Sequence, residues 1–155
     1  MKPFFHAKSL VEPKSSIGTG TRVWAFAHVM KGSVIGRDCN IGDHSFVETG
    51  SFLGDRVTLK NGVSVWDGVT LGNDVFVGPN AVFTNDLFPV SRVQKKFLST
   101  RVKKGCCIGA NATIVCGVTV GKYSFVGAGS VVTEETGTTQ FWGAGVTTIA
   151  PIGPF

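Results

Sequence analysis

Apolar residues recur at every sixth position along this chain. Counting from Phe5, every sixth residue up to Phe83 is aliphatic or aromatic, and the pattern resumes at Val102 and continues to Val132. Four places after each of these residues, except Phe83 where the repeat is interrupted, stands a small or β-branched residue, such as Thr21. Two inward positions separated by one variable residue give the alternation of a short strand with one buried face. The sequence therefore predicts one short strand in every hexad.

The glycines follow the same period. Seventeen of the 21 glycines lie one or three places after an apolar residue of the repeat, where they tolerate the positive φ of a tight turn. Each hexad is then a strand followed by a corner, and three hexads close one triangular coil. Successive coils stack as parallel strands about 4.8 Å apart, and each buries its inner face against its neighbours. We therefore predict an all-β fold, a parallel β-helix of about seven triangular coils.

The repeat also predicts how the chain is divided. Residues 1–134 form the hexapeptide-repeat β-helix, and residues 135–155 have no hexad phase and are predicted to be an irregular C-terminal tail. Two interpretations of this tail are open: it caps the exposed strand edges of the last coil, or it is a divergent end that weakens cofactor binding.

One interruption divides the repeat. Phe83 and Val102 are nineteen residues apart instead of six, so thirteen extra residues leave the helix as an external loop within about residues 85–101. A loop of this length on a regular scaffold is usually functional.

One of the three corner columns differs chemically from the other two. Its turns never begin with glycine, and we name it the Asn85 corner. Its turns are Glu12-Pro13-Lys14, Met30-Lys31-Gly32, Glu48-Thr49-Gly50, Trp66-Asp67-Gly68 and Thr84-Asn85-Asp86. Stacking is expected to set Asp67 and Asn85 about 5 Å apart. Residues with side chains stand here in place of the glycine that would ease the turn. Such a departure from the local pattern is expected at a functional site.

Charge and hydropathy narrow the class of partner. The net charge of +5 is modest and is not gathered into a nucleic-acid-binding stripe, so a small phosphate-bearing molecule suits it as well as a polymer does. We expect no nucleic-acid partner. No apolar run reaches the length of a membrane span, and the N-terminus lacks a signal-peptide core. We expect a cytoplasmic protein with no membrane partner. The four cysteines have no metal-ligand spacing and are predicted to be free thiols.

Several local strings carry a resemblance to a known family. They are Val23-Trp24-Ala25-Phe26-Ala27-His28-Val29, Ile41-Gly42-Asp43-His44, Val65-Trp66-Asp67-Gly68, Val77-Gly78-Pro79-Asn80, Phe83-Thr84-Asn85-Asp86-Leu87-Phe88-Pro89, Val102-Lys103-Lys104-Gly105 and Ile108-Gly109-Ala110-Asn111-Ala112-Thr113-Ile114. Over about residues 5 to 134, the chain resembles the hexapeptide-repeat acyltransferases. Within them it is most similar to N-acetyltransferases of nucleotide-linked 3-amino sugars, of the dTDP-3-amino-3,6-dideoxyhexose type, with the UDP-3-amino-glucuronate type as relatives.

The resemblance implies a left-handed β-helix, acetyl-CoA as co-substrate, and a homotrimer. A homotrimer would bury two outward ladders that are largely apolar. These are Leu10, His28, Phe46, Ser64 and Val82 on one face, and Ser16, Val34, Phe52 and Thr70 on the next. In this family a loop such as residues 85–101 leans over a neighbouring subunit and walls the active site.

The resemblance also assigns candidate site residues. Acetyl transfer to an amine needs a neutral, well-placed amine, a donor for the developing oxyanion and a path for the proton. Asn85 would orient the sugar amine, and Asp86 or Asp67 would bind sugar hydroxyls or help to remove the proton. His44 or His28 would act as a base or hydroxyl ligand across a trimer seam. Trp66 and Glu48 join the predicted substrate-binding set.

Further expectations concern phosphate, cofactor and metal. The family often has arginine after the loop proline, where this chain has Val90, so either Arg92 takes over that phosphate contact or the contact is absent. Acetyl-CoA is expected along the later coils, where Gly109-Ala110 and Gly127-Ala128 would meet the pantetheine arm. Lys103 and Lys104 would meet its phosphates. No metal is expected, because the spacing of His6, His28 and His44 differs from that of the zinc carbonic anhydrases on this fold.

Two alternatives remain open from the sequence. The alternatives to a sugar N-acetyltransferase are a non-catalytic β-solenoid that serves as a scaffold or binding protein, and a hexapeptide acyltransferase for another small acceptor. A flat ice-binding solenoid would repeat threonine along one outward face, and this chain does not.

Overall fold

The computed structural model describes residues 1–93, 96–137, 141–143 and 146–149. It contains 22 short strands and, in the described part of the chain, no helix. The strands are β1 (Phe4–Phe5), β2 (Leu10–Val11), β3 (Ser16–Ile17), β4 (Arg22–Val23), β5 (His28–Val29), β6 (Val34–Ile35), β7 (Asn40–Ile41), β8 (Phe46–Val47), β9 (Phe52–Leu53), β10 (Thr58–Leu59), β11 (Ser64–Val65), β12 (Val69–Leu71), β13 (Phe76–Val77), β14 (Val82–Phe83), β15 (Thr100–Val102), β16 (Cys107–Ile108), β17 (Thr113–Ile114), β18 (Thr119–Val120), β19 (Phe125–Val126), β20 (Val131–Val132), β21 (Phe141–Gly143) and β22 (Val146–Ile149).

Every third strand lies in the same sheet. The first sheet runs β1-β4-β7-β10-β13-β16-β19-β21-β22, the second β2-β5-β8-β11-β14-β17-β20, and the third β3-β6-β9-β12-β15-β18. Neighbouring strands within these sheets are parallel, except for the antiparallel pair β21–β22. This topology confirms the predicted β-solenoid of about seven triangular coils.

The core contains the two inward positions of each hexad. From Val23 to Val132 the apolar residue of every hexad is buried, and so is the residue four places later, except after Phe83, where Leu87 is exposed on the external loop. Side chains at the same position in successive coils stack directly, as Leu53 stacks on Ile35. The period of six thus places the Ile, Val and Leu side chains in one continuous core.

The glycines have two different physical roles at the two corner positions. At the third corner position φ is positive in glycines such as Gly32 (+75°), and also in non-glycine residues such as Asp38 (+55°). At the first corner position the limit is space: a Cβ added to Gly36 would lie 2.6 Å from the carbonyl of Gly54 in the next coil. Positive φ, which we predicted for both positions, therefore explains only the third.

The external loop changes the register by the predicted thirteen residues. Paired residues are 18 apart before the loop, as in Thr58–Phe76, and 31 apart across it, as in Phe76–Cys107. The chain returns to the solenoid where the Thr100 N–H donates to the Gly68 carbonyl at 3.1 Å.

The tail is more regular than the sequence indicated. Thr136 is buried, its N–H donates to the Thr119 carbonyl at 3.0 Å, and its hydroxyl accepts the Gly121 N–H at 2.8 Å. Strand β21 then pairs with β19, and β22 pairs with β21. The expected irregular tail thus contains two strands that extend the first sheet. Residues 138–140, 144–145 and 150–155 of that predicted tail lie outside the described residues.

Candidate active site

The root of the external loop holds Asn85 through three hydrogen bonds. The Thr84 N–H donates to the Ile114 carbonyl at 3.0 Å, and the Thr84 Oγ1 accepts the Cys116 N–H at 2.9 Å. The Asn85 carbonyl accepts the Leu98 N–H from the returning end of the loop at 3.0 Å. Asn85 and Asp86 are both half-buried. The corner therefore fixes the backbone on both sides of an accessible amide and a carboxylate.

Trp66 lies one coil before Asn85 and is tied to the same strand. Its indole Nε1–H donates to the Phe83 carbonyl at 2.9 Å, and its ring lies 5.4 Å from that of Phe46. The half-buried ring also packs against the core. Because the indole has only one polar atom, and Phe83 takes it, a substrate contact of Trp66 would have to use the ring.

Glu48 and Asp67 connect two successive coils at this corner. The Glu48 Oε2 accepts the Asp67 backbone N–H at 2.8 Å, and Asp67 itself is exposed. The Asp67 carboxylate lies over Gly50, in the space that a Cβ at that position would take. Glu48 therefore already has a structural contact, and it orients the turn that presents Asp67.

His28 is held by a carboxylate of the same corner. Its Nε2 lies 2.8 Å from the Glu12 Oε1, and its ring meets Phe46 edge-on at 5.4 Å. The Glu12 carboxylate also accepts the Lys31 backbone N–H at 3.1 Å. That backbone bond, followed by the bond with His28, holds the pKa of Glu12 below its ordinary value.

His44 and Arg92 are not brought to this corner within one chain. His44 lies in the turn Gly42-Asp43-His44 of another corner column, exposed, with a φ of +56°. Its ring stacks on that of Phe26, with centroids 4.9 Å apart. Arg92 is exposed on the external loop. The roles expected of these two residues remain predictions.

The residues predicted to bind acetyl-CoA lie on both edges of the first sheet. Gly109-Ala110 and Gly127-Ala128 stack in one corner column, where the Gly129 N–H donates to the Ala110 carbonyl at 2.9 Å. Lys103 and Lys104 are exposed in the corner column at the opposite edge, and the Lys104 Nζ lies 3.8 Å from the Asp74 Oδ2.

Half-buried side chains lie between these two edges. Cys107 and Phe125 are register partners on β16 and β19, and both are half-buried. Sequence reasoning missed this pair, although their outward hexad phase was a usable signal. It also missed the hydrogen bond between Thr84 and Cys116, which joins residues 32 apart across the loop insertion.

Two negative findings apply to the described residues. No group of three or more His, Cys, Asp or Glu side chains is placed to hold a metal ion. Within the same part of the chain, no helix is long and apolar enough to cross a bilayer.

Comparison with known proteins assigns the family. The family model for the bacterial transferase hexapeptide (six repeats) matches residues 14–49 and 99–134, and that for the hexapeptide repeat of succinyl-transferase matches residues 33–67. The chain is 56% identical over 133 residues to the dTDP-3-amino-3,6-dideoxy-α-D-galactopyranose 3-N-acetyltransferase of Aneurinibacillus thermoaerophilus. The alignment covers 85% of this chain and 69% of that enzyme. The chain therefore belongs to the bacterial hexapeptide-repeat transferases.

Solved structures with lower identity show the same fold. LpxA of Bacteroides fragilis, a UDP-N-acetylglucosamine acyltransferase, superposes with a TM-score of 0.76 at 18% identity over 90% of this chain and 57% of LpxA. PerB of Caulobacter crescentus, in complex with CoA and GDP-perosamine, superposes with a TM-score of 0.56 at 20% identity over 97% of this chain and 58% of PerB. This chain therefore spans less than two thirds of either solved structure.

Proposed function

We propose that this chain is an acetyl-CoA-dependent N-acetyltransferase that acts on the amino group of a nucleotide-linked 3-amino sugar. The observation that carries the proposal is the 56% identity over 133 residues to an enzyme of that activity. The Asn85 corner supports it, because a half-buried amide and a carboxylate stand side by side at the root of the external loop.

For acetyl transfer from a thioester to an amine, the main task of the protein is to position the two reacting groups. The amine nitrogen attacks the thioester carbonyl, a C–N bond forms, the C–S bond breaks, and CoA leaves as a thiol. The amine must first be neutral, so its proton has to pass to a nearby group or to water. We propose that Asn85 orients the amine and that Asp86 or Asp67 receives the proton or binds sugar hydroxyls. A strong base is less necessary here than for a hydroxyl acceptor.

We further propose that His44 and His28 act from a neighbouring subunit. In one chain His44 lies in a different corner column from Asn85, and His28 is held by Glu12. Arg92 is proposed for the sugar diphosphate, and Gly109, Ala110, Gly127 and Ala128 for the pantetheine arm. Lys103 and Lys104 are proposed for the CoA phosphates. No metal is part of this scheme.

A homotrimer in the cytoplasm is proposed as the working state. The support is an apolar surface that one chain leaves uncovered. Phe88 on the loop is 72% exposed, and the outward residues Phe52 and Val82 are 45% and 46% exposed. A second copy of the chain is the partner that such repeated faces fit.

The test is acetyl transfer with purified protein. Incubation with acetyl-CoA and dTDP-3-amino-3,6-dideoxygalactose should give a nucleotide sugar heavier by one acetyl group, with equimolar free CoA, both measured by mass spectrometry. The same sugar with a 3-hydroxyl group is the control acceptor. Acetylation of the hydroxyl sugar alone would favour an O-acyltransferase, and absence of acetyl-CoA binding would favour the scaffold alternative.

A further inference from the structure

The Asn85 corner departs from the regular strand pairing of the solenoid. In the coils on either side, a backbone N–H at the start of the corner donates to a carbonyl one coil on, as Glu48 does to Val65 at 2.9 Å and Thr84 to Ile114 at 3.0 Å. The neighbouring pairs β8–β11 and β14–β17 keep two residues in register. In the described part of the chain, β11 and β14 keep only Ser64–Val82 in register.

The Trp66 side chain occupies this break. Its indole N–H donates to the Phe83 carbonyl at 2.9 Å, the acceptor that a backbone N–H would use in a regular coil. Phe83 is two residues before Asn85, and its buried ring fixes that strand end in the core. Because the indole is rigid and extends from the backbone, its N–H can hold the Phe83 carbonyl in a different position and orientation from those that a backbone N–H donor would give.

We propose that Trp66 is a positioning residue for the Asn85 turn. It carries out this role through the Phe83 carbonyl. The chain of contacts is continuous: Trp66 fixes Phe83, Thr84 is held by Cys116, and Asn85 holds Leu98 at the returning end of the loop. The Trp66 hydrogen bond therefore sets where the Asn85 amide stands and how firmly the loop is closed at its root. The inference rests on the proposed function for its kinetic consequence only.

The experiment compares Trp66→Phe with Trp24→Phe. Each variant keeps an aromatic ring and loses one indole donor, since the Trp24 Nε1–H donates to the Asn40 Oδ1 at 2.9 Å in another corner column. Trp66→Phe is expected to lower kcat for acetyl transfer roughly tenfold or more, because small misplacements of a reacting group are costly. Its KM for acetyl-CoA should stay unchanged. Trp24→Phe should leave kcat as in the wild type.

A second readout does not depend on activity. Hydrogen–deuterium exchange of the Leu98 amide, which donates to the Asn85 carbonyl, should rise about threefold to tenfold in Trp66→Phe and stay unchanged in Trp24→Phe. If exchange rises but the wild type transfers no acetyl group, the positioning role stands and the proposed function fails. Wild-type exchange at Leu98 together with wild-type kcat in Trp66→Phe would overturn the inference.

Discussion

At the scale of single residues, the hydrogen bonds around each polar side chain of the Asn85 corner determine whether that side chain is left for substrate or stabilises the fold. Glu48 and Glu12 accept backbone N–H groups from the following coil, so their carboxylates stabilise the corner turns. Asn85 differs, because the bonds that fix its turn use the backbone and the Thr84 hydroxyl. We therefore expect its side-chain amide to matter more for turnover than for folding.

Replacing Asn85 with alanine tests this expectation. Asn85→Ala should lower kcat/KM for the nucleotide sugar roughly a hundredfold, because the amine would lose its orienting contact. Stability and acetyl-CoA binding should stay close to wild type. The matched control is Asn61→Ala, which removes an exposed amide at the same position of a turn in another corner column. Equal turnover in Asn85→Ala and wild type would end the assignment.

The buried thiol of Cys106 gives a pH dependence at the same scale. Burial raises the pKa of Cys106 from 9.0 to about 11. A raised pKa means that the folded state holds the proton more tightly than the unfolded state does. The contribution of the protonated Cys106 thiol to the free energy of unfolding is therefore complete below pH 9. It is lost as the pH rises towards about 11.

The urea midpoint should accordingly fall between pH 9 and about 11. Cys106→Ala should unfold at lower urea than wild type at pH 8, because it leaves a small cavity. Its midpoint should then fall less steeply with alkaline pH than that of wild type. Parallel slopes for the two proteins would show that this thiol does not titrate on unfolding.

At the scale of the repeated element, the sequence predicts much of the structure. A strict period of six defines strands, register and core, because each hexad contributes the same two inward side chains. The tail escaped prediction because the apolar phase of the repeat ends at Val132, although Thr136 still fills the inward small position and is held there by hydrogen bonds. The hydrogen bond from Trp66 to Phe83 was not predicted either, because a side-chain donor that replaces a backbone donor does not change the six-residue pattern of the sequence.

Two glycines in one coil test the two roles of glycine in a corner. Gly36→Ala should lower the free energy of unfolding by about 3 kcal/mol, because the new Cβ would overlap a backbone carbonyl that has no room to shift. Gly32→Ala should cost about 1 kcal/mol, the strain of alanine at positive φ. The nearest atom to its new Cβ is a methyl carbon of Thr49, 3.2 Å away, at the end of a side chain.

Urea unfolding of both variants measures these costs. The two positions are four residues apart, so differences in local coil stability are small between them. A larger loss for Gly32→Ala than for Gly36→Ala would mean that backbone conformation, and not the close approach of coils, sets the requirement at the first corner position.

At the scale of the whole molecule, the two halves of the proposed reaction, the acceptor site and the acetyl-CoA site, lie apart in a single chain. Asn85 lies in one corner column, and the glycine-alanine pairs proposed for acetyl-CoA lie in the next column, across the sheet that contains β14, β17 and β20. Acetyl transfer needs the amine and the thioester in contact. A neighbouring copy that brings its own corner to this face would join the two halves. We therefore expect activity to depend on assembly.

Charged substitutions on the outward faces test this dependence on assembly. Wild type should sediment as a trimer of the 16.3 kDa chain at micromolar concentration. Phe52→Lys places a charge in an outward apolar ladder and should shift the protein towards monomer, because a buried unpaired charge is costly. Thr58→Lys is the control, since the outward neighbour of Thr58 in the preceding coil is the polar Asn40. Acetyl transfer should fall together with the trimer fraction in Phe52→Lys and persist in Thr58→Lys. A wild-type monomer with full activity would contradict the proposal, since a single chain would then bring donor and acceptor together unaided.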